Sequence, residues 1–182
     1  MWIFMKCAIL LDQGFEELEA MGPIALLRRG NIVVDCISVD NKTEEIGRFG
    51  VTYSPLIPMN DYDFKEADCL IVPGGPQYKR LEKNEKVLDL MKYFAKEKKI
   101  AAICAGPTIL GHLGLLAGKK YTCFTDMDED FNGEYVDALA VIDGNMVTGR
   151  SAAASIEFAF AIMEMLCGKE YTDEVKASVY YK

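Results

Sequence analysis

The stretch KKIAAICAGPTIL, residues 98–110, decides how this chain folds. Ile100 to Cys104 read as a short strand buried on both faces, because the run is apolar without alternation. Gly106 and Pro107 then interrupt it, and Pro107 stands where helices accept proline, at about the first helical position. Strand, sharp bend and helix follow one another, with Cys104 predicted as the last strand residue and a helix over 107–117.

Working outward, CAILL (7–11), IVVDCISV (32–39) and DCLIVP (68–73) have the same buried character, and YTCFT (121–125), LAVID (139–143) and NMVTG (145–149) predict further strands. Helical periods fall between them at 15–29, 84–98, 107–117 and 151–167, with a short helix near 170–177. Strands alternating with helices predict an α/β fold, a mostly parallel sheet covered by helices on both faces. Asp143-Gly144-Asn145 supplies tight-turn residues, so the last two strands form a small antiparallel hairpin. Residues 40–66 read as turns and edge structure. With 182 residues, 51% of them hydrophobic, residues 1–182 are expected to form one domain.

Composition excludes several classes. The opening MWIFMKCAILL carries a lysine in its middle and no small-residue cleavage site, and no apolar run approaches the roughly 18 residues of a membrane span. Six cysteines without a CxxC spacing are therefore expected to stay reduced, in a cytoplasmic protein. With His112 the only histidine and the cysteines far apart, neither a metal nor a cofactor is expected. The net charge of −8 weighs against binding to nucleic acid or anionic membranes.

In an open α/β sheet, ligands sit outside the carboxyl ends of the strands. After the first strand comes DQGFEELEA, where Glu16 and Glu17 compensate a helix dipole while Glu19, one turn further in beside Ala20, is less easily explained that way. After the third comes VPGGPQ, whose paired Gly74 and Gly75 suit a tight turn or the close approach of a ligand to backbone amides. After the fourth comes Cys104, in the geometry of a nucleophile elbow. A thiol of ordinary pKa, about 8.5, is about 3% ionised at pH 7, whereas one at a helix N-terminus falls to roughly 3.5–7.5. Cys7, Cys36 and Cys69 lie inside strand-like runs as small buried hydrophobes, Cys123 lies on a later strand, and Cys167 precedes Gly168. His112 follows Cys104 on the same helix by about 12 Å of axial rise, too far to touch the thiol.

AAICAGP (101–107), EELEA (16–20), VPGG (72–75) and SIEFAFAIMEMLCGKE (155–170) together resemble the ThiJ/PfpI superfamily, in its DJ-one branch, over nearly the whole chain. The resemblance implies a flavodoxin-like doubly wound α/β sandwich, commonly a homodimer, with Cys104 as the reactive cysteine and Glu19 as its carboxyl partner. It also implies that amides around Gly74, Gly75 and Ala105 hold an oxyanion or an oxidised sulfur. Arg28 and Arg48 fall where that branch has arginines near the dimer contact, which implies an anion site there. Two departures stand out. Ala105 replaces the histidine that follows the nucleophile in protease-like members, which argues against a peptidase, and Phe124 falls where the branch brings a histidine towards the cysteine. The implied activity is of the glyoxalase or deglycase type, weakened by the lost histidine, on methylglyoxal or its adducts. The alternatives are an oxidative-stress sensor acting through oxidation of Cys104 and a chaperone-like module.

Overall fold

The computed structural model describes residues 4–182; the first three residues of the opening apolar run lie outside it. In chain order its regular elements are β1 (Lys6–Leu11), α1 (Glu17–Arg29), β2 (Val33–Ser38), β3 (Glu45–Ile46), β4 (Thr52–Tyr53), β5 (Ile57–Pro58), β6 (Cys69–Val72), α2 (Tyr78–Leu81) and α3 (Glu85–Glu97). There follow β7 (Lys99–Ile103), α4 (Gly106–His112), β8 (Lys120–Tyr121), β9 (Glu134–Tyr135), β10 (Ala140–Asp143), β11 (Met146–Gly149), α5 (Ser155–Cys167) and α6 (Lys169–Ser178). Seven strands form the main sheet in the order β10-β11-β7-β6-β1-β2-β5. All its pairings are parallel except β10 with β11, the expected hairpin. The segment 40–66 supplies a second hairpin, β3 with β4, and the edge strand β5.

Unbroken apolar strands follow from a sheet covered twice. Alternate side chains of β1, β6 and β7 face opposite ways, so Ile9, Leu11, Ile71, Ala101 and Ile103 pack with Ala20, Ile24 and Leu27 of α1 and with Phe158 and Ile162 of α5. Their neighbours Ala8, Leu10, Leu70, Val72, Ile100 and Ala102 pack with Val87, Met91 and Phe94 of α3 and Ile109 and Leu110 of α4. At α3 the Asn84 side chain accepts from the Val87 N–H at 3.3 Å, a cap that contributes about 1 kcal/mol.

Three expectations are corrected. β7 ends at Ile103, so Cys104 is the bend residue itself, at φ +64°. The helix after it stops at His112, because the Gly114 N–H turns back to the Gly111 carbonyl at φ +73° and the Leu115 N–H reaches Leu110. Of YTCFT only Tyr121 is in a strand, in the short pairing of β8 with β9. The Thr122 N–H donates to the Thr148 hydroxyl and the Phe124 N–H to the Cys104 carbonyl, so Thr122 and Cys123 are buried by a crossing and not by a ladder.

Candidate active site

The loops after β1, β6, β7 and β11 converge at one end of the sheet. Cys104 is held there by two backbone bonds, its N–H donating to the Gly149 carbonyl and its own carbonyl accepting from Phe124, both at 2.9 Å. A non-glycine residue at positive φ costs about 1–3 kcal/mol and persists only where its surroundings impose it. Gly106 allows the bend to press against the sheet, since a Cβ there would lie 2.7 Å from the Val72 carbonyl.

Glu19 reaches the same point from the first turn of α1. Its helix starts at Glu16, whose carboxylate accepts from the Glu19 N–H at 2.9 Å. Pro23, one turn on, has no N–H to give the Glu19 carbonyl. Glu19 Oε2 accepts from the Gly74 N–H at 2.7 Å, Oε1 is buried without a hydrogen-bond partner, and the Cys104 thiol lies against the carboxyl. Closeness is what the glycines permit: a Cβ on Gly74 would stand 2.6 Å from Glu19 Oε2 and 2.8 Å from the Cys104 Cβ. The Gly74 amide, which the resemblance assigned to an oxyanion, is thus committed to Glu19, and the amides that lower the Cys104 thiol are those of Ala105 and Gly75.

Burial, followed by the charge of Glu16, raises the Glu19 carboxyl to about 7, opposed by Cys104, the Gly74 amide and Arg48. Burial and then the Glu19 charge also push the Cys104 thiol well above its ordinary range, against the pull of the two amides. A thiol depressed by a helix start is therefore not what the site contains; α4 is short and burial outweighs it. The pair instead sets a carboxyl raised to about 7 against a thiol held higher still, so the carboxyl is the more acidic of the two and their titrations are coupled.

A cavity of about 590 Å³ opens over the thiol. Glu16, Glu19, Gly75, Cys104 and Ala105 line it, as do Arg48 and Phe124. Tyr78, Lys79, Met127 and the Ser151–Ala153 segment line it as well and were missed in the sequence. The last was readable, since it follows the carboxyl end of β11, the strand beside β7. Arg28 is not in this lining: its guanidinium donates to the Val34 carbonyl at 2.7 Å and contacts Cys36. His112 bonds Glu82 and Glu129 on the surface and is remote from the thiol's lining. One acidic trio, Asp12, Asp40 and Glu45, brings ligand oxygens within 4.8 Å of one another. Arg80 binds Asp12 and Asp40 at 2.8 and 2.7 Å, and Lys42 binds Asp40 at 2.9 Å, so the chain's own cations neutralise it.

A parallel α/β sheet with a cysteine on a strained strand-to-helix bend, faced by a buried carboxyl, defines a class of elbow-cysteine proteins. Within it the chain belongs to the DJ-1/PfpI family, whose model matches residues 5–165. It is 33% identical over 181 residues to protein DJ-1 homolog A of Arabidopsis thaliana, covering 96% of this chain but 46% of that protein, so the chain spans less than half of that relative's length. A deglycase of Thermococcus kodakarensis is 33% identical over 150 residues, 80% of this chain and 90% of its own. The crystal structure of Drosophila melanogaster DJ-1beta superposes with a TM-score of 0.91 at 29% identity, covering 99% of this chain and 100% of that one. No helix among the described residues is long and apolar enough to cross a membrane.

Proposed function

We propose that residues 1–182 act as one domain with glyoxalase- or deglycase-type activity on methylglyoxal or its adducts, Cys104 being the nucleophile and Glu19 the proton relay. The observation that carries this reading is the buried Glu19 carboxyl, raised to about 7 and set against the thiol with one oxygen otherwise unpartnered. Relatives named deglycases support the substrate class. In the reactive tautomer the proton rests on Glu19 and the charge on sulfur. Sγ bonds to the aldehyde carbon and the oxygen takes a proton, giving a hemithioacetal beside the Gly75 and Ala105 amides. Glu19 removes the proton from that carbon and returns one to the neighbouring carbonyl carbon, leaving a thioester of lactate. Water then cleaves the thioester, and lactate and the thiol are restored without metal or glutathione. With Phe124 in place of a second acid-base group, turnover is slow; a positioned group contributes about 10²–10⁴ in rate.

The test is turnover of methylglyoxal by Cys104→Ser and Glu19→Gln. Rates equal to wild type would remove both residues from the chemistry. The same carboxyl and amides also suit a sulfinate, formed as the thiolate consumes two peroxides and releases two waters. That sensor reading predicts that mild peroxide adds two oxygens to Cys104 before any other cysteine, measured by peptide mass. Self-association is supported by Ile46, Phe49 and Val51, apolar and exposed around the β3–β4 hairpin beside the cavity; a monomeric sedimentation profile would remove it.

A further inference from the structure

Two short turns bring apolar side chains to the cavity over the thiol. In one, the Phe124 N–H donates to the Cys104 carbonyl at 2.9 Å and the Met127 N–H returns to the Phe124 carbonyl at 3.0 Å. In the other, the Tyr78 N–H donates at 3.1 Å to the carbonyl of Gly75, the residue whose own amide lowers the Cys104 thiol. Phe124, Met127 and Tyr78 all line the cavity. Tyr78 and Met127 are anchored, half-buried against the core cluster that includes α3 and α4, whereas Phe124 is 45% exposed. Among the described residues, the rings of Phe124 and Tyr78 pair with no other aromatic ring, although Tyr121 and Phe131 in the same stretch as Phe124 pair with each other at 5.9 Å. One exposed ring on a surface is ordinary. Two unpaired rings and a thioether meeting a candidate nucleophile in one concavity form a ligand wall.

Size points the same way. A cavity of about 590 Å³ falls in the range that holds drug-sized ligands, roughly 300–1,000 Å³, many times what a three-carbon dicarbonyl fills. A methyl group beside the reacting carbonyl leaves most of that space to water. A flat aryl group occupies it and, being neutral, is not opposed by the Glu16 and Glu19 carboxylates of the lining.

We infer that the substrate class is aromatic: a neutral α-oxoaldehyde whose two carbonyl carbons reach Cys104 and Glu19 while an aryl group on the keto carbon lies against Phe124, Tyr78 and Met127. This rests on the carbonyl-addition reading above for the identity of the reacting end. Offset or edge-on stacking suits the two rings, and a thioether at the ring edge suits Met127. The aryl group also eases the chemistry. When Glu19 removes the proton from the hemithioacetal carbon, the electron pair becomes an enediolate conjugated with the ring, so a site in which Phe124 supplies no proton has a less basic intermediate to handle. Phe124 and Tyr78 are then specificity-determining residues.

Alkylation tests the cavity without turnover. Iodoacetamide, N-phenyl iodoacetamide and N-cyclohexyl iodoacetamide carry the same neutral electrophile and differ only in what lies beyond it, and peptide mass spectrometry isolates the rate at Cys104. Relative to the urea-unfolded chain, the native chain is expected to favour the phenyl reagent over iodoacetamide by about fivefold or more, and the cyclohexyl reagent by about twofold at most. Phe124→Leu and Tyr78→Leu each lower the phenyl preference and together bring it down to the cyclohexyl value. Tyr180→Leu, which removes a ring 90% exposed outside the lining, leaves it unchanged. No phenyl preference, an equal cyclohexyl preference, or a phenyl preference that neither Phe124→Leu nor Tyr78→Leu moves overturns the proposal. Failure of all three reagents to modify native Cys104 overturns it too, because the cavity would then admit no ligand to the thiol. In turnover, kcat/KM for phenylglyoxal is expected to exceed that for methylglyoxal by about tenfold or more, and an equal or lower value overturns the aromatic class. If the phenyl preference behaves as expected and neither oxoaldehyde is turned over, the aromatic cavity stands and the glyoxalase or deglycase reading falls; turnover of methylglyoxal without a phenyl preference does the reverse.

Discussion

Cys69 lies on β6 and Cys104 one residue past the end of its neighbour β7, yet their surroundings differ in every respect that matters to a thiol. Cys69 opens β6, pairs in register with Cys7 of β1, and is fully buried; Cys7, by the Cys69 thiol against it and then by burial, is held far above its ordinary range. Cys104 stands one residue past the end of β7, at positive φ, half-buried under a cavity, facing a carboxyl and two backbone amides. Cys7 and Cys104 are both raised, but the side chain that partners Cys7 is another thiol, whereas the one that partners Cys104 is the Glu19 carboxyl. The difference teaches that position relative to the strand end, and not residue type or burial alone, makes a cysteine chemically available.

Replacing each sulfur breaks the comparison most severely. Cys104→Ser is expected to lower methylglyoxal turnover by at least about 10³-fold with little change in stability, since a hydroxyl in that place has no strong base beside it. Cys69→Ala is expected to leave turnover unchanged and to cost about 1–2 kcal/mol in urea denaturation, from lost burial and a small cavity. Equal losses of turnover in the two variants would end the distinction.

Glu19→Gln sharpens it, because the carboxyl should matter in opposite directions to activity and stability. Turnover is expected to fall about 10²–10⁴-fold. With a folded value of about 7 against an ordinary 4.5, Glu19 binds a proton in the folded state over a range where the unfolded chain has released it. Its favourable contribution is therefore complete below about pH 4.5 and lost as pH rises through 7, leaving a penalty of about 3 kcal/mol at pH 8. Glu19→Gln should consequently be more stable than wild type at pH 8, and the gain should vanish by about pH 4. The alkylation rate of wild-type Cys104 should rise through about pH 7, where the pair loses its first proton. A flat stability difference across that range would show that Glu19 is not buried as a charge.

The amide side of the site comes next. Gly75 has φ +84°, and a Cβ there would stand 2.6 Å from both the Glu16 N and the Gly14 carbonyl oxygen, which are backbone atoms that cannot swing aside. Gly75→Ala is expected to cost about 3 kcal/mol and to slow Cys104 alkylation, whereas Gly118→Ala, at φ +71° in open space, should cost about 1 kcal/mol and change nothing at the thiol.

The strands were legible because a doubly covered sheet needs unbroken apolar runs, and β1, β2, β6 and β7 have them within a residue or two. Cys104, Glu19 and the glycine pair were legible because strand ends mark sites in this architecture. What could not be read were relations across the chain. Gly74 and Glu19 are 55 residues apart, and nothing local says that one donates to the other. The burial of Thr122 and Cys123 looked like strand character in a list of residues, because burial by a crossing segment and burial in a ladder select the same side chains. Arg28 and Arg48 were grouped by resemblance, yet within one chain one binds the Val34 carbonyl and the other borders the cavity.

Phe124→His asks whether the site can be made to differ still more from Cys69. The ring lines the cavity at 45% exposure, and its placement depends on a backbone bond to the Cys104 carbonyl that an imidazole would keep. Stability should therefore change by less than about 0.5 kcal/mol. A histidine beside a site that is negative above pH 7 would have its pKa raised from about 6.5, and its cation would favour the tautomer with charge on sulfur. Turnover is expected to rise about tenfold, below the roughly 10²–10⁴ of a fully positioned group, because no residue among the lining orients the new ring. The rate of iodoacetamide alkylation should rise with it and extend to lower pH. An unchanged pH profile would mean that the ring at this position does not reach the pair, and that Glu19 alone carries the proton.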